Sequence, residues 1–167
     1  MPPSRHQAID PQLPAAGAWV GPVFRYPIRV YYEDTDAGGV VYHANHIRFA
    51  ERARSEMVRS LGMNQSELFA DRGVAFAVAA LSATYRSPAR LDDVVIVETT
   101  VGRLGATALE LVQRFLRQGA EIATVSVRIV CIGTDWRATR LPDDLRRSIA
   151  ERIATDLPPN GTTTVPA

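Results

Sequence analysis

Between residues 44 and 61 the apolar side chains return with the period of a helix. At about 100° per residue, Phe49, Ala53, Met57, Ala50, Leu61, Ile47 and Val58 share one half of the helical wheel. Arg48, Glu51, Arg52, Ser55 and Arg59 occupy the other half, and Arg54 is the exception, a charged residue on the apolar side. Asn45 is the candidate N-cap and Gly62 the candidate residue just past the end. A short second helix is predicted at 65–71, closed by Gly73. Elsewhere the period changes. Residues 24–33 combine β-branched and aromatic residues around Pro27 and predict a strand with the proline near its start. Four longer strands are predicted at 74–86, 94–103, 106–117 and 121–133, with short links that imply antiparallel hairpins. In the last of them Ala123, Val125, Val127, Ile129 and Cys131 alternate with Thr124, Ser126 and Arg128, so one face is apolar and the other mixed. A terminal helix at 143–154 follows Pro142 and carries Leu145, Ile149 and Ile153 at a four-residue spacing.

This order, one strand, a long helix, a short helix, four strands and a last helix, predicts an α+β layer in which one five-stranded antiparallel sheet covers one apolar helix. A single sheet of this kind keeps exposed edges and a second, partly apolar face, which makes a dimer the expected assembly. Residues 1–22 are rich in Pro, Ala and Gly without a sustained period and are expected to be a flexible arm. Residues 156–167 are expected to be a flexible tail, leaving 23–155 as a single domain.

Composition narrows the function. The 167 residues carry a net charge of +1 and show no basic stripe, so a nucleic-acid partner is not expected. All 19 basic residues are arginine, which excludes Schiff-base and lysine-base chemistry. The single cysteine, Cys131, lies in an apolar stretch and reads as a buried, inert thiol. The longest wholly apolar run, 74–81, is far short of the roughly 20 residues that span a bilayer, and no apolar segment follows the first charges. The expectation is therefore a cytoplasmic protein with no membrane insertion. His43 and His46 lie three apart, but with three histidines in all and no further ligand at the right spacing no metal site is expected.

The segment that carries chemistry is YYEDTDAGGVVYHAN, residues 31–45. Glu33, Asp34 and Asp36 crowd into four positions ahead of a Gly-Gly turn, and the turn leads into the long helix. Backbone N–H groups at such a helix start can polarise a carbonyl and hold a developing oxyanion. Gly38 and Gly39 permit close backbone approach, and Val41 closes the turn. Asp36 can then act beside that carbonyl as a base for water or as a nucleophile. A thioester is a suitable electrophile, because its leaving group needs little protonation. The same residues would equally serve as a capped turn with no catalytic role.

The segment EDTDAGGVVYHANHIRFAERARSEMVRSLG resembles the signature of the hotdog-fold acyl-CoA thioesterases of the 4-hydroxybenzoyl-CoA thioesterase and YbgC type, the YbgC branch most closely. The resemblance continues through SATYRSPA at 82–89 and through 92–97, and spans about 25–140. It implies a hotdog fold, a five-stranded antiparallel sheet wrapped around the long helix, and an acyl-CoA thioester hydrolase. The family's acidic residue falls on Asp36, its tyrosine on Tyr32 and its histidine on His43, where the first amide of the helix would bind the thioester oxygen. The resemblance also implies a site at a dimer interface, homodimers or homotetramers, and no cofactor or metal beyond the CoA of the substrate. CoA phosphates would meet surface arginines; Arg86 and Arg90, with Ser87 between them, are the candidates. Two positions depart from the pattern, since His46 and Ala50 stand where aromatic residues are usual; both lie on or near the first turns of the helix, so an acyl pocket of different size or polarity is expected. Two other readings come with the same family. One is a cytoplasmic adaptor of the Tol-Pal or acyl-carrier-protein type with weak residual hydrolysis. The other is a hotdog dehydratase, for which Glu51 would be the helix-borne acid.

Overall fold

The computed structural model describes residues 15–154. Ten elements follow one another: β1 (Ala18–Val20), β2 (Val23–Arg29), a single 3-10 turn at Tyr32–Asp34, α1 (His43–Ser60), α2 (Gln65–Arg72), β3 (Ala75–Tyr85), β4 (Val94–Leu104), β5 (Ala108–Arg117), β6 (Ala120–Ile132) and α3 (Asp143–Ala154). The strands form one antiparallel sheet in the order β1-β2-β4-β5-β6-β3.

Six strands stand where five were expected. The extra one, β1, lies inside the segment expected to be a flexible arm. Trp19 explains it. Its ring meets Phe24 edge-on at 5.5 Å, and its indole N–H donates to Ser60 Oγ at 2.9 Å, which ties the arm to the end of α1. A two-residue turn joins the strands, with Gly21 at φ +57°, a region that glycine enters without penalty. The remainder of the expected arm, 1–14, and the expected tail, 156–167, lie outside the described residues.

Long-range packing places the chemistry. On α1, Phe49, Ala50, Ala53 and Met57 are buried against the sheet, and the two alanines let helix and strands approach closely. Phe49, Ala50 and Ala53 share a core with Val95, Val97, Phe115, Ile122, Ala123 and Val125. A second core under α3 gathers Met57, Leu109, Leu111, Val127, Leu145 and Ile149. The helix ends as expected, with Gly62 at φ +82° donating its N–H to Arg59 O. Its start differs. Tyr42 holds the cap position, while Asn45 sits inside the first turn, buried, and donates its side-chain N–H to Asp34 O at 2.9 Å. A cap receives a helix N–H, whereas Asn45 instead ties the acidic segment to the helix.

The arginine on the apolar half of α1 has a counterpart in the sheet. Gln113 takes an inward position on β5 between Leu111 and Phe115 and is fully buried. Arg54 donates to Gln113 Oε1 at 2.7 Å and pairs with Glu51. Gln113 in turn donates to Ala50 O at 3.0 Å and Thr99 Oγ1 at 3.1 Å. Arg54, Gln113 and Thr99 thus satisfy one another, and the network pins α1 to β4 and β5.

Strand β3 lies at the sheet edge and pairs only with β6. Its sequence, AFAVAALSATY, holds no charged residue, and Val78, Leu81 and Tyr85 are exposed.

Candidate active site

The acidic segment folds into two nested turns. The carboxylate of Asp34 accepts the Tyr31 N–H at 2.9 Å, and its carbonyl accepts the N–H groups of Tyr42 and the Asn45 side chain, both at 2.9 Å. Asp34 is buried and its bonds are structural. Asp36, two residues on, is exposed. Its Oδ1 accepts the Gly38 N–H at 2.8 Å, and the backbone closes around it through Asp36 N–H to Val40 O and Gly39 N–H to Asp36 O, both 2.9 Å. Gly39 stands at φ +71°, which a side chain would strain. A Cβ on Gly38 would meet Asp36 Oδ1 at 3.0 Å, so glycine there leaves the carboxylate undisturbed.

Val41 anchors the turn from beneath. It is buried, and its N–H donates to Ala89 O at 2.8 Å, bringing the 86–90 segment alongside. Between the two segments opens a cleft of about 340 Å³, lined by Asp36, Val40, Val41, His43, His46, Tyr85, Arg86, Ser87 and Pro88. The cleft ends at the start of α1. An α-helix leaves its first N–H groups without intrahelical acceptors, so those of His43 and Ala44 carry the positive end of the helix dipole. The His43 ring packs against Tyr42 at 4.4 Å. Tyr85, on the edge strand, reaches over to donate its hydroxyl to His43 O at 2.9 Å, and its ring meets those of His43 and His46 edge-on. Partial burial raises the Tyr85 pKa, so the phenol stays protonated and keeps this bond at neutral pH.

A larger open hollow of about 490 Å³ lies on β3, β4, β5 and β6, where Glu110 and Arg128 are its ionisable groups. The smaller cleft is the one that joins a fixed carboxylate, histidines and a helix start. Among the described residues no cluster of three or more His, Cys, Asp or Glu is placed to hold a metal ion, and no helix is long and apolar enough to cross a membrane.

Five of the residues singled out from the sequence meet in the cleft: Asp36, Val41, His43, Arg86 and Ser87. Gly38 and Gly39 shape the turn without lining it. Tyr32 does not enter. It is 82% exposed in the 3-10 turn, and only its carbonyl is used, by Thr35. Arg90 is also outside the lining, its backbone N–H held by Asp93. Arg86 lines the cleft with its guanidinium paired to Glu121 at 3.0 Å. Bonds from Thr124, then Arg114 and Arg86, hold the Glu121 carboxyl down at about 2, so the pair stays charged at any ordinary pH. His46, one of the two departures from the family pattern, also lines the cleft, and Tyr85 is the residue that sequence reasoning left out of the site. Tyr85 stood within the SATYRSPA match, but nothing local told that the end of β3 would reach the start of α1.

A long helix lying on one face of an antiparallel sheet, entered through an acid-glycine turn, is the hotdog thioesterase fold. The chain belongs to the thioesterase-like superfamily, whose sequence profile matches residues 30–149. It is 45% identical over 111 residues to the acyl-CoA thioester hydrolase YbgC of Escherichia coli O6:H1, a match covering 66% of this chain and 82% of that protein. It is 42% identical over 109 residues to the acyl-CoA thioesterase YbgC of Haemophilus influenzae, covering 65% and 80%. Among solved structures, a probable thioesterase from Bartonella henselae superposes with a TM-score of 0.69 at 32% identity, covering 72% of this chain and 99% of that one.

Proposed function

We propose that the protein hydrolyses an acyl-CoA thioester to the free acid and CoA in the cleft beside α1, with the Asp36 carboxylate as its working group. The observation that carries this reading is the placement of Asp36. One carboxylate oxygen is fixed by the Gly38 N–H, and the group lines the same cleft as the helix start at His43. A thioester oxygen at the His43 amide would sit at the positive end of the helix dipole, where charge developing on it is stabilised. As a base, Asp36 takes a proton from water while the water oxygen bonds to the carbonyl carbon. The C–S bond then breaks, and the CoA thiolate leaves and regains a proton. As a nucleophile, Asp36 displaces the thiolate first, and water then cleaves the mixed anhydride. Neither route calls for a metal or resident cofactor. Arg86 and Ser87 line the cleft and are proposed to meet the CoA portion, while Tyr32 and Arg90 lie outside its lining. Release of free thiol from a panel of acyl-CoAs tests the reading, and the absence of release from all of them would overturn it. An acyl carrier protein presents the same thioester and is a second candidate partner, distinguished by running both carriers in one assay. The cytoplasm is the compartment we take for this chemistry, consistent with the buried, unpaired Cys131.

His43 is proposed to orient the substrate through its ring and to bind the oxyanion through its amide. His43→Ala keeps the amide. Its kcat is therefore expected to fall by one to two decades, about 1.4–2.7 kcal/mol of barrier. A loss as complete as that of the carboxylate, in steady-state kinetics, would mean that the ring does the chemistry itself.

The assembly proposed is a homodimer or homotetramer. An eleven-residue edge strand without a charge, with Val78, Leu81 and Tyr85 exposed, is the kind of edge that proteins cover. Its end carries Tyr85 into the cleft, so a second copy pairing there would border the site. Light scattering is expected to give at least twice the chain mass of 18.3 kDa; a stable, active monomer would contradict it.

A further inference from the structure

His46 is in an odd position for a histidine. It belongs to the first turn of α1 and is only 4% exposed, yet its ring forms part of the cleft that holds Asp36. Three aromatic rings surround it: Tyr85 at 5.2 Å, Phe115 at 5.5 Å and Phe49 at 6.2 Å. A histidine kept for packing alone would have its buried nitrogens satisfied. Here Nδ1 is buried and has no hydrogen-bond partner among the described residues. The carbonyls of His43 and Tyr42 lie close enough to favour a charged ring but form no bond of acceptable geometry, and burial outweighs them, lowering the pKa. The ring is therefore neutral at neutral pH, with one N–H donor and one lone pair.

We infer that His46 is a specificity-determining residue, which hydrogen-bonds a hydroxyl on the acyl group and so selects hydroxylated acyl thioesters over the plain acyl group of the same size. This rests on thioester hydrolysis in the cleft. A hydroxyl both donates and accepts, so it suits a neutral imidazole in either tautomer. A carboxylate would need a positive charge that this ring does not supply. A methylene would leave the imidazole desolvated and unpaired, and sites built to bond a hydroxyl discriminate strongly against analogues that lack it. The other polar side chains of the wall, Asp36, His43, Tyr85, Arg86 and Ser87, are exposed to water, so His46 is the buried polar side chain of the lining and the one that gains most from a partner on the substrate. The hydroxyl can come from an aliphatic or an aromatic acyl group; the chemistry at His46 is the same.

Two matched pairs test this: 3-hydroxybutyryl-CoA against butyryl-CoA, and 4-hydroxybenzoyl-CoA against benzoyl-CoA. The quantity read is the ratio of kcat/KM within each pair. The wild-type protein is expected to favour the hydroxylated member of one pair by about tenfold or more, the scale of one buried hydrogen bond. The pair that shows this names the source. In His46→Phe the ratio should fall to within about twofold of unity. His46→Leu carries the same expectation and guards against a folding failure of the first variant. A wild-type ratio near one in both pairs overturns the inference. So does a preference that survives both substitutions, or a variant that loses both members of a pair alike. If no acyl-CoA of any kind is hydrolysed, the hydrolytic reading fails and takes this inference with it.

Discussion

Asp36→Asn is expected to lower kcat by at least two to four decades, the usual span for removal of a general base. An amide keeps the shape of the side chain and can still accept the Gly38 N–H, so the turn from 36 to 40 should close as before. Only charge and basicity are lost. An amide neither attacks a thioester carbonyl nor takes a proton from water, so the loss falls on the chemical step, and KM should move less than kcat. Because Asp36 is exposed and its backbone is held by Val40 and Gly39, thermal stability should change little. Asp34→Asn removes the same charge two residues away. Asp34 is buried and bonds the Tyr31 N–H, so that variant is expected to cost stability while keeping most of kcat. The contrast separates a charge that reacts from one that holds the segment in place.

Phe115→Ala is expected to destabilise the fold by about 3–5 kcal/mol, with a fall in melting temperature on the order of 10 °C. The ring is fully buried in the core shared by α1, β4 and β6, where no solvent can fill the space it leaves. It also backs the His46 ring at 5.5 Å, so the cavity would open directly behind the wall of the cleft. Urea denaturation measures the loss. A change below about 1 kcal/mol would show that helix and sheet are not packed through this ring.

Much of this was legible in the order of residues. The period of α1 and the alternation in β6 are local properties, and both fix which side chains face the core. The acid-glycine turn was legible for the same reason, since the hydrogen bonds that close it around Asp36 lie within 36–40. The features missed are long-range. Trp19 makes a strand of a Pro- and Ala-rich stretch by reaching Ser60, 41 residues away. Arg54 looked misplaced until Gln113, 59 residues on, supplied its partner. Tyr85 joins the cleft through a bond to His43 across 42 residues. Tyr32 differs in the opposite way. It stands next to the acids in sequence, but the 3-10 turn points its side chain to solvent.

The most direct test of the account is thiol release from a panel of acyl-CoAs by the wild-type protein and by Asp36→Asn, each confirmed as folded by circular dichroism. The account predicts saturable release by the wild type on at least one member, and a kcat lower by two decades or more in the variant on that same member. Release by a folded Asp36→Asn protein within about twofold of the wild-type rate would contradict it, and the assignment of the cleft beside α1 would fall with it.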